Sequence, residues 1–411
     1  MKIAPSALRL RAYQVGFGDC LLLSFSYPRP VDSGRDKRHI LIDFGSTRLG
    51  RGFPSLAQTA AQIAEDCEGH LDAVVISHRH KDHLGAFGDR RAAPILRKLA
   101  PEVVIRSWTE HPDATDNEGK AELSLLEALA DGEDGATRIV ARAKRTGRHR
   151  RSNLVTFAAD AIRNEAAVTA LHELANGRGE YLWAGERTRL SELLPGVRVD
   201  VIGPPKPHQW SEVQRQAADH AQYWAIARKQ ASRYLSASPI TAQAGPLRWI
   251  VNKLREDENE AMLSLVRWLD DAMNNTSLIL LFSVGRHTLL FGGDAQIENW
   301  GWALNAKPSS SLGRRLDAVD LYKVGHHGSR NGTPRSLVDR WRARGTPLVS
   351  VLSTRPGVHG HGARKVPRHR LLTALAALGP VLRTDAIDDR PYLDVSADLP
   401  AGEYEYAANP S

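Results

Sequence analysis

Three histidines and one aspartate fall within six residues, at His78, His80, Asp82 and His83. The apolar, β-branched run at 71–76 is typical of a buried strand, and 84–87 of a helix start, so these side chains lie on a turn after a strand. In an extended turn His78 and His80 point the same way, whereas Asp82 and His83 face a second point. Imidazole and carboxylate suit zinc, manganese or iron, so the spacing predicts two ions close together.

A carboxylate far downstream is the candidate bridge between those ions. Residues 288–291 are typical of a strand, and Gly292 and Gly293 after it allow a sharp turn that projects Asp294 over the sheet end. With one oxygen on each ion, Asp294 would be a bridging ligand. The alternative is that Asp294 is the N-cap of the helix expected at 296–304, because aspartate is a favoured capping residue.

A pair of histidines, His326 and His327, follows the next predicted strand and a glycine. Either can close the shell of the second ion, and we prefer His326 as the ligand. His327 is then left to donate a proton or to contact the substrate. Lys323 is expected to act with His327 and Asp82 in catalysis, by stabilising charge on phosphoryl oxygens.

Three further polar residues are candidates for contacts with the substrate. Ser329 and Arg330 directly follow the histidine pair and offer donors to a phosphate oxygen. Asn275 lies in the turn before the strand expected at 278–284, and we assign it the same role.

Two aspartates in the first 45 residues are expected to support the metal ligands from behind. Asp43 ends a predicted strand at 39–44, where it can accept a ring N–H and fix the tautomer of a metal histidine. Asp19 lies in the tight loop between the first two predicted strands and is given the same role. The alternative for both is an ordinary β-meander with glycine-rich turns.

Composition limits the class of protein without identifying it. The formal net charge of +8 favours a polyanionic partner such as nucleic acid. The only cysteines, Cys20 and Cys67, fit a reducing cytosol. The first residues lack the apolar core of a signal peptide, and no apolar run is long enough to span a bilayer. We therefore expect a cytoplasmic protein with no membrane segment.

The pattern of elements predicts an α/β fold of two packed sheets with helices outside them. We expect a single domain over 1–411 with two insertions, at 113–196 and 206–273. The first holds a basic run at 142–151, which is either a solvated loop or a track for a phosphate backbone. The second is expected to be helical and to carry several tryptophans, so it either caps the core or contacts a protein partner.

Seven segments resemble, in the same order, the metallo-β-lactamase domain of ComEC-type competence proteins: VGFGDCLLL, ILIDFGS, SHRHKDHLG, NNTSLILL, LLFGGDA, LYKVGHHGS and VLRTD. The H-x-H-x-D-H motif is typical of the superfamily, and GGDA with HHGS is typical of this branch. The resemblance implies an αββα sandwich and a hydrolase with two divalent ions, zinc or alternatively manganese. The ligands would be His78 and His80 on one ion, Asp82, His83 and His326 on the other, and Asp294 between them. The implied reaction is cleavage of a phosphodiester, DNA or RNA, by a metal-bound hydroxide.

Two features depart from that branch. The chain has no membrane channel, so DNA uptake is not implied. The histidine that the superfamily carries between its H-x-H-x-D-H motif and the bridging aspartate is not evident, and His111 and His208 are the candidate substitutes. Two alternatives therefore stay open: a metallo-hydrolase of a small ester, lactone, thioester or β-lactam, and a regulatory subunit with a degenerate metal site.

Overall fold

The computed structural model describes residues 3–31, 34–50, 52–114, 119–145, 164–210, 269–329, 331–345, 347–358, 366–387, 390–399 and 402–406. The chain divides into two compact units. The first comprises Met1–Asp113, Asn164–Lys206 and Asn274–Ser411, and the second comprises Ala114–Arg163 and Pro207–Met273.

The first unit contains a larger sheet of eight strands. In spatial order these are β14 (Glu405–Tyr406), β13 (Tyr392–Asp398), β1 (Ala7–Tyr13), β2 (Cys20–Ser26), β3 (Lys37–Phe44), β4 (Ala73–Val75), β5 (Val103–Ser107) and β6 (Gly179–Leu182). Pairing is antiparallel from β14 to β3 and parallel from β3 to β6. The sheet is therefore mixed, and its parallel half carries the histidine-rich segment.

A smaller sheet of six strands completes the first unit. In spatial order these are β12 (Val381–Arg383), β11 (Val349–Leu352), β10 (Leu321–Lys323), β9 (His287–Phe291), β8 (Ile279–Val284) and β7 (Val197–Gly203). Strands β9 to β12 are parallel, and β7, β8 and β9 pair antiparallel. This sheet is also mixed.

The two sheets pack face to face through their apolar sides. One buried cluster joins Leu10 and Ile40 of the larger sheet to Leu280 and Val351 of the smaller one. Removing such aliphatic side chains from water contributes about 1.5–3 kcal/mol each. The shared core therefore holds the two sheets at a fixed separation.

Helices cover the outer face of each sheet. Outside the larger sheet lie α1 (Leu56–Asp66), α3 (Ala93–Lys98) and α5 (Glu165–Ala175), and outside the smaller one lie α7 (Ile297–Leu304), α8 (Ser311–Asp317), α9 (Arg335–Arg344) and α10 (His369–Ala376). Two short helices, α2 (Lys81–Leu84) and α6 (Leu190–Leu193), lie in connections. Helix α1 begins at a capping box in which Ser55 and Gln58 satisfy each other's backbone N–H groups. The predicted α/β fold, with two sheets flanked by helices, is confirmed at this level.

The second unit is described mainly through one long helix, α4 (Lys120–Arg145). Leu125, Leu129 and Ala136 are its buried apolar residues. Near its start, Glu122 accepts hydrogen bonds from the backbone N–H and the ring of His208. These contacts tie the two sequence segments of the unit together.

The insertion predicted at 113–196 is too long at its carboxyl end. Residues 164–196 belong to the first unit, where α5 packs on the larger sheet and β6 adds an edge strand beside β5. The four-residue strand GEYL is too short to show a clear alternation of apolar residues, which explains the error. Residues 142–145 of the basic run form the end of α4, and residues 146–151 lie outside the described residues. Residues 211–268 of the second insertion also lie outside them.

Among the residues that the structure describes, every helix is too short or too polar to traverse a lipid bilayer.

Candidate metal centre

The predicted ligands come together at one edge of the first unit. Strands β3, β4, β9 and β10 run in the same direction within their sheets, and each is followed or ended by an acidic or histidine residue. Open α/β sheets place ligand sites outside the carboxyl ends of such strands. The fold therefore explains why residues more than 200 positions apart meet here.

Four side chains form the centre of this cluster: Asp82, His83, Asp294 and His327. One ligand atom from each lies within 4.8 Å of the others. The Nε2 atom of His83 is 3.3 Å from Oδ2 of Asp294. The Nε2 atom of His327 is 3.1 Å from Oδ2 of Asp82 and 3.8 Å from Oδ2 of Asp294. We call this set the four-residue group.

Asp294 reaches the group because two glycines precede it. Gly293 has a φ of +50°, and a Cβ atom there would lie 2.7 Å from the Cβ atom of Ser77. Glycine is therefore needed for the turn to pack beside the histidine segment. The N-cap of α7 is Gln296, so Asp294 is not a helix cap. Its Oδ1 atom accepts a hydrogen bond from the backbone N–H of His326 instead.

Asp43 stands behind the four-residue group, as the sequence predicted. Its Oδ2 atom accepts a hydrogen bond from Nδ1 of His83 at 2.8 Å. Ser77 donates to the same carboxylate through its backbone N–H and its hydroxyl, both at 2.7 Å. Because Nδ1 of His83 is bonded to Asp43, the ring directs Nε2 at Asp294. Nε2 has no hydrogen-bond partner among the described residues.

Electrostatic coupling inside the four-residue group is strong. Burial opposes the charged form of His83, but Asp294 and Asp43 outweigh it and raise the pKa of His83 well above its usual value. Burial likewise disfavours ionised Asp294, yet His83 above all holds the pKa of Asp294 well below its usual range. Burial also disfavours ionised Asp82, but the hydrogen bond from His327 and the charges of His83 and His327 together outweigh it and lower the pKa of Asp82. Such opposed shifts are typical of functional sites.

His78 and His80 form a second set of donors beside the group. The Nε2 atom of His78 lies 2.9 Å from Nδ1 of His80, and the rings of His78 and His83 have centroids 4.2 Å apart. Burial lowers the pKa of both His78 and His80, so both rings are neutral near pH 7. Neutral imidazole is the form that binds a metal ion.

The structure places His327, rather than His326, in the four-residue group. His327 is fully buried, belongs to the four-residue group and places Nδ1 3.1 Å from the carbonyl oxygen of Ser353. The side chain of His326 is 22% exposed, and its Nε2 atom is 3.8 Å from Oδ2 of Asp294. Two adjacent histidines look alike in sequence, and the backbone turn between them decides which ring is buried.

Lys323 forms a buried ion pair with Asp19. Its ammonium is buried and lies 2.8 Å from both carboxylate oxygens of Asp19. The Oδ2 atom of Asp19 lies 3.8 Å from Nδ1 of His83, and the backbone N–H of Asp19 donates a hydrogen bond to the carbonyl oxygen of Asp82. The structure thus places Lys323 and Asp19 together behind His83, and the catalytic role of Lys323 stays a prediction.

The residues proposed for substrate contact are mostly engaged with the protein. Ser329 donates its hydroxyl to Oδ1 of Asn331, at 2.8 Å. Asn275 accepts a hydrogen bond from the backbone N–H of Gln296 and donates to Glu298. Asn275 therefore shapes the Asp294 turn. Arg330 lies outside the described residues.

Neither candidate for the missing histidine belongs to the cluster. His111 packs its ring on Tyr181, with centroids 4.6 Å apart, and accepts a hydrogen bond from the backbone of Asp113. His208 belongs to the second unit and pairs with Glu122. Sequence reasoning also missed Ser77, whose position directly before the histidine motif was the available signal.

The donor set fits divalent metal ions. Imidazole nitrogens and carboxylate oxygens converge from separate segments, and a buried nitrogen of His83 lacks a hydrogen-bond partner among the described residues. Zinc and manganese accept this mixture of donors. Oδ2 of Asp294 lies within 3.8 Å of a ring nitrogen of His83, His326 and His327, so it can share a metal ion with any of these histidines.

Comparisons with known proteins give one short similarity. A segment of 124 residues, 29% of this chain, is 28% identical to part of Recombination protein 2 from Haemophilus influenzae. The match spans only 14% of the length of that protein. No protein-family model matches the chain.

Proposed function

We propose that this chain is a metal-dependent hydrolase that cleaves phosphodiester bonds, with a DNA or RNA strand as its substrate, on an αββα metallo-β-lactamase sandwich. The observation that carries the proposal is the four-residue group, in which Asp82, His83, Asp294 and His327 converge within 4.8 Å. Two carboxylates and two imidazoles buried at the ends of parallel strands are poorly explained as parts of a structural core.

The same residues define where two ions would bind. Asp82, His83 and His327 would hold one ion, His78 and His80 would hold the other, and Asp294 would be shared. When bound, such ions lower the pKa of a water molecule towards about 7 and offset the charge that develops on phosphoryl oxygens.

The surrounding side chains hold these ligands in position. Asp43 and Ser77 fix the ring of His83, and the buried pair of Lys323 and Asp19 supports the loop behind it. His326 is partly exposed beside Asp294, where it can give a proton to the departing oxygen of the substrate. This role passes to His326 because His327 belongs to the four-residue group.

Three observations favour a nucleic acid over a small ester. The net charge of +8 suits a polyanion. The GGDA and HHGS segments resemble a branch that acts on phosphodiesters. The similar segment in Haemophilus influenzae belongs to a protein named for recombination, a process of DNA.

The test is a cleavage assay with the purified full chain. The substrates are single-stranded DNA, RNA, bis(p-nitrophenyl) phosphate and a chromogenic ester and lactone, each with Mn²⁺, with Zn²⁺ and with a chelator. We expect metal-dependent cleavage of the phosphodiesters and its loss in Asp294→Ala. Asp339→Ala, which removes an exposed carboxylate of α9, is the matched control and keeps the activity.

Two results would overturn the proposal. Absence of phosphodiester cleavage with either metal would exclude the reaction. Cleavage of the ester or lactone alone would keep the metal centre but assign it another bond.

A further inference from the structure

The ion expected beside His78 and His80 lacks a complete set of protein ligands. Among the described residues, these two histidines form no group of three with another histidine, cysteine, aspartate or glutamate. The four-residue group, by contrast, offers four donors of those types. Among the described residues, a further ligand beside His78 and His80 would therefore come from another residue type.

Asn274 is the side chain that meets this need. It is 1% exposed, and neither Oδ1 nor Nδ2 has a hydrogen-bond partner among the described residues. Burying an amide without partners is destabilising, so such a group calls for an explanation. The side chain of Asn274 lies next to the ring of His80.

The backbone around Asn274 is anchored to both parts of the metal centre. The N–H of Leu278 donates to the carbonyl oxygen of Ser77, directly before His78. The hydroxyl of Ser277 accepts a hydrogen bond from the N–H of Asp294. The turn is closed by a hydrogen bond from the N–H of Ser277 to the carbonyl oxygen of Asn274. Asn274 is thus fixed where the histidine segment and the Asp294 turn meet.

We propose that Oδ1 of Asn274 is the missing protein ligand of the ion held by His78 and His80. The inference rests on the proposed function, since it assumes the same pair of ions. An amide oxygen is a harder ligand than the imidazole it replaces, and carbonyl oxygens suit manganese and magnesium better than zinc. The position beside His78 and His80 therefore selects Mn²⁺, whereas the four-residue group accepts Zn²⁺ as well.

The test measures metal binding without substrate, by titration calorimetry and by mass spectrometry of metal content. Wild-type full chain is compared with Asn274→Ala and Asn274→His. We expect two Mn²⁺ ions in wild type and one in Asn274→Ala, with at least a tenfold weaker affinity at the second position. Asn274→His is expected to restore two ions and to shift the preference of that position towards Zn²⁺.

Asn299→Ala is the matched control. Asn299 is buried like Asn274, and its Nδ2 atom donates to the carbonyl oxygen of Ser277, at 2.7 Å. This variant loosens the same turn without removing the proposed ligand, so it should keep two ions. A second readout is the melting temperature of the metal-free protein. Asn274→Ala should raise it or leave it unchanged, because an unsatisfied buried amide is removed, whereas a purely structural asparagine would lower it.

The outcomes separate this inference from the proposed function. Two Mn²⁺ ions of unchanged affinity in Asn274→Ala would overturn the role of Asn274, even if the enzyme cleaves phosphodiesters. Absence of metal from wild type would overturn both. Loss of one ion in Asn274→Ala by a protein that cleaves no phosphodiester would leave the ligand role standing and reject only the reaction.

Discussion

The Nδ1 atom of His83 lies 2.8 Å from Oδ2 of Asp43, and the opposite ring nitrogen faces Asp294 at 3.3 Å. A carboxylate on one side of an imidazole raises its basicity and fixes its tautomer for a metal ion on the other side. We therefore expect Asp43 to support metal binding without touching the ion itself.

Replacing Asp43 with alanine should weaken metal affinity by about 10–100-fold, as is usual for partners of ligand histidines. The measurement is a competition titration against a chromogenic chelator. Asp72→Asn is the control, because Asp72 is equally buried but pairs with Arg38 and the backbone of His39. Equal metal affinities in wild type and Asp43→Ala would contradict the role.

The two adjacent histidines should respond differently to alanine. His327→Ala removes a member of the four-residue group and should lower metal affinity at least about tenfold. His326→Ala removes a partly exposed ring and should keep both ions while slowing cleavage. Mass spectrometry of the metal content distinguishes the two variants. A loss of metal in His326→Ala alone would restore the assignment made from sequence.

The buried pair of Lys323 and Asp19 should be sensitive to removal of one partner. Lys323→Met leaves an uncompensated buried carboxylate and should lower the free energy of unfolding by about 3–5 kcal/mol. The double variant Lys323→Met with Asp19→Asn should recover part of this loss. Urea unfolding measures both. Arg97→Met, which breaks an exposed pair with Glu173, should cost at most about 1 kcal/mol. A similarly small cost for Lys323→Met would show that the pair is unimportant for stability.

Stability should depend on pH through His39. Burial lowers the pKa of His39 to about 4, from 6.5 in the unfolded chain. Between these values the unfolded chain binds more protons, so stability falls as pH drops from 6.5 to about 4, by about 3 kcal/mol. Urea unfolding at several pH values measures this loss. In His39→Gln the free energy of unfolding should depend less on pH between 6.5 and about 4. The same pH dependence of the free energy of unfolding in wild type and His39→Gln would contradict the effect assigned to His39.

Sequence patterns predicted the parts of the fold whose signals are local. Strands such as β3 and β8 are apolar and β-branched, and the glycines before Asp294 mark its turn. Only the structure excludes Asp294 as a helix cap, because the N-cap of α7 is Gln296. Strand β6 was missed because four residues carry too little periodicity.

Long-range pairing explains why sequence did not predict how the side chains within the site are placed. Lys323 looked like a catalytic cation because its partner Asp19 is 304 positions away. The choice between His326 and His327 depends on two consecutive residues with φ near +49°, a conformation that sequence does not announce. Asn274 gave no signal either, because asparagines in turns are common.

The most direct test of the central claim is anomalous diffraction from crystals of the full chain grown with Mn²⁺ or Zn²⁺. We predict two anomalous peaks, one bounded by Asp82, His83, Asp294 and His327 and the other beside His78 and His80, with metal–nitrogen distances of about 2.0–2.2 Å. Crystals that contain either metal but show no anomalous peak at these side chains would contradict the account.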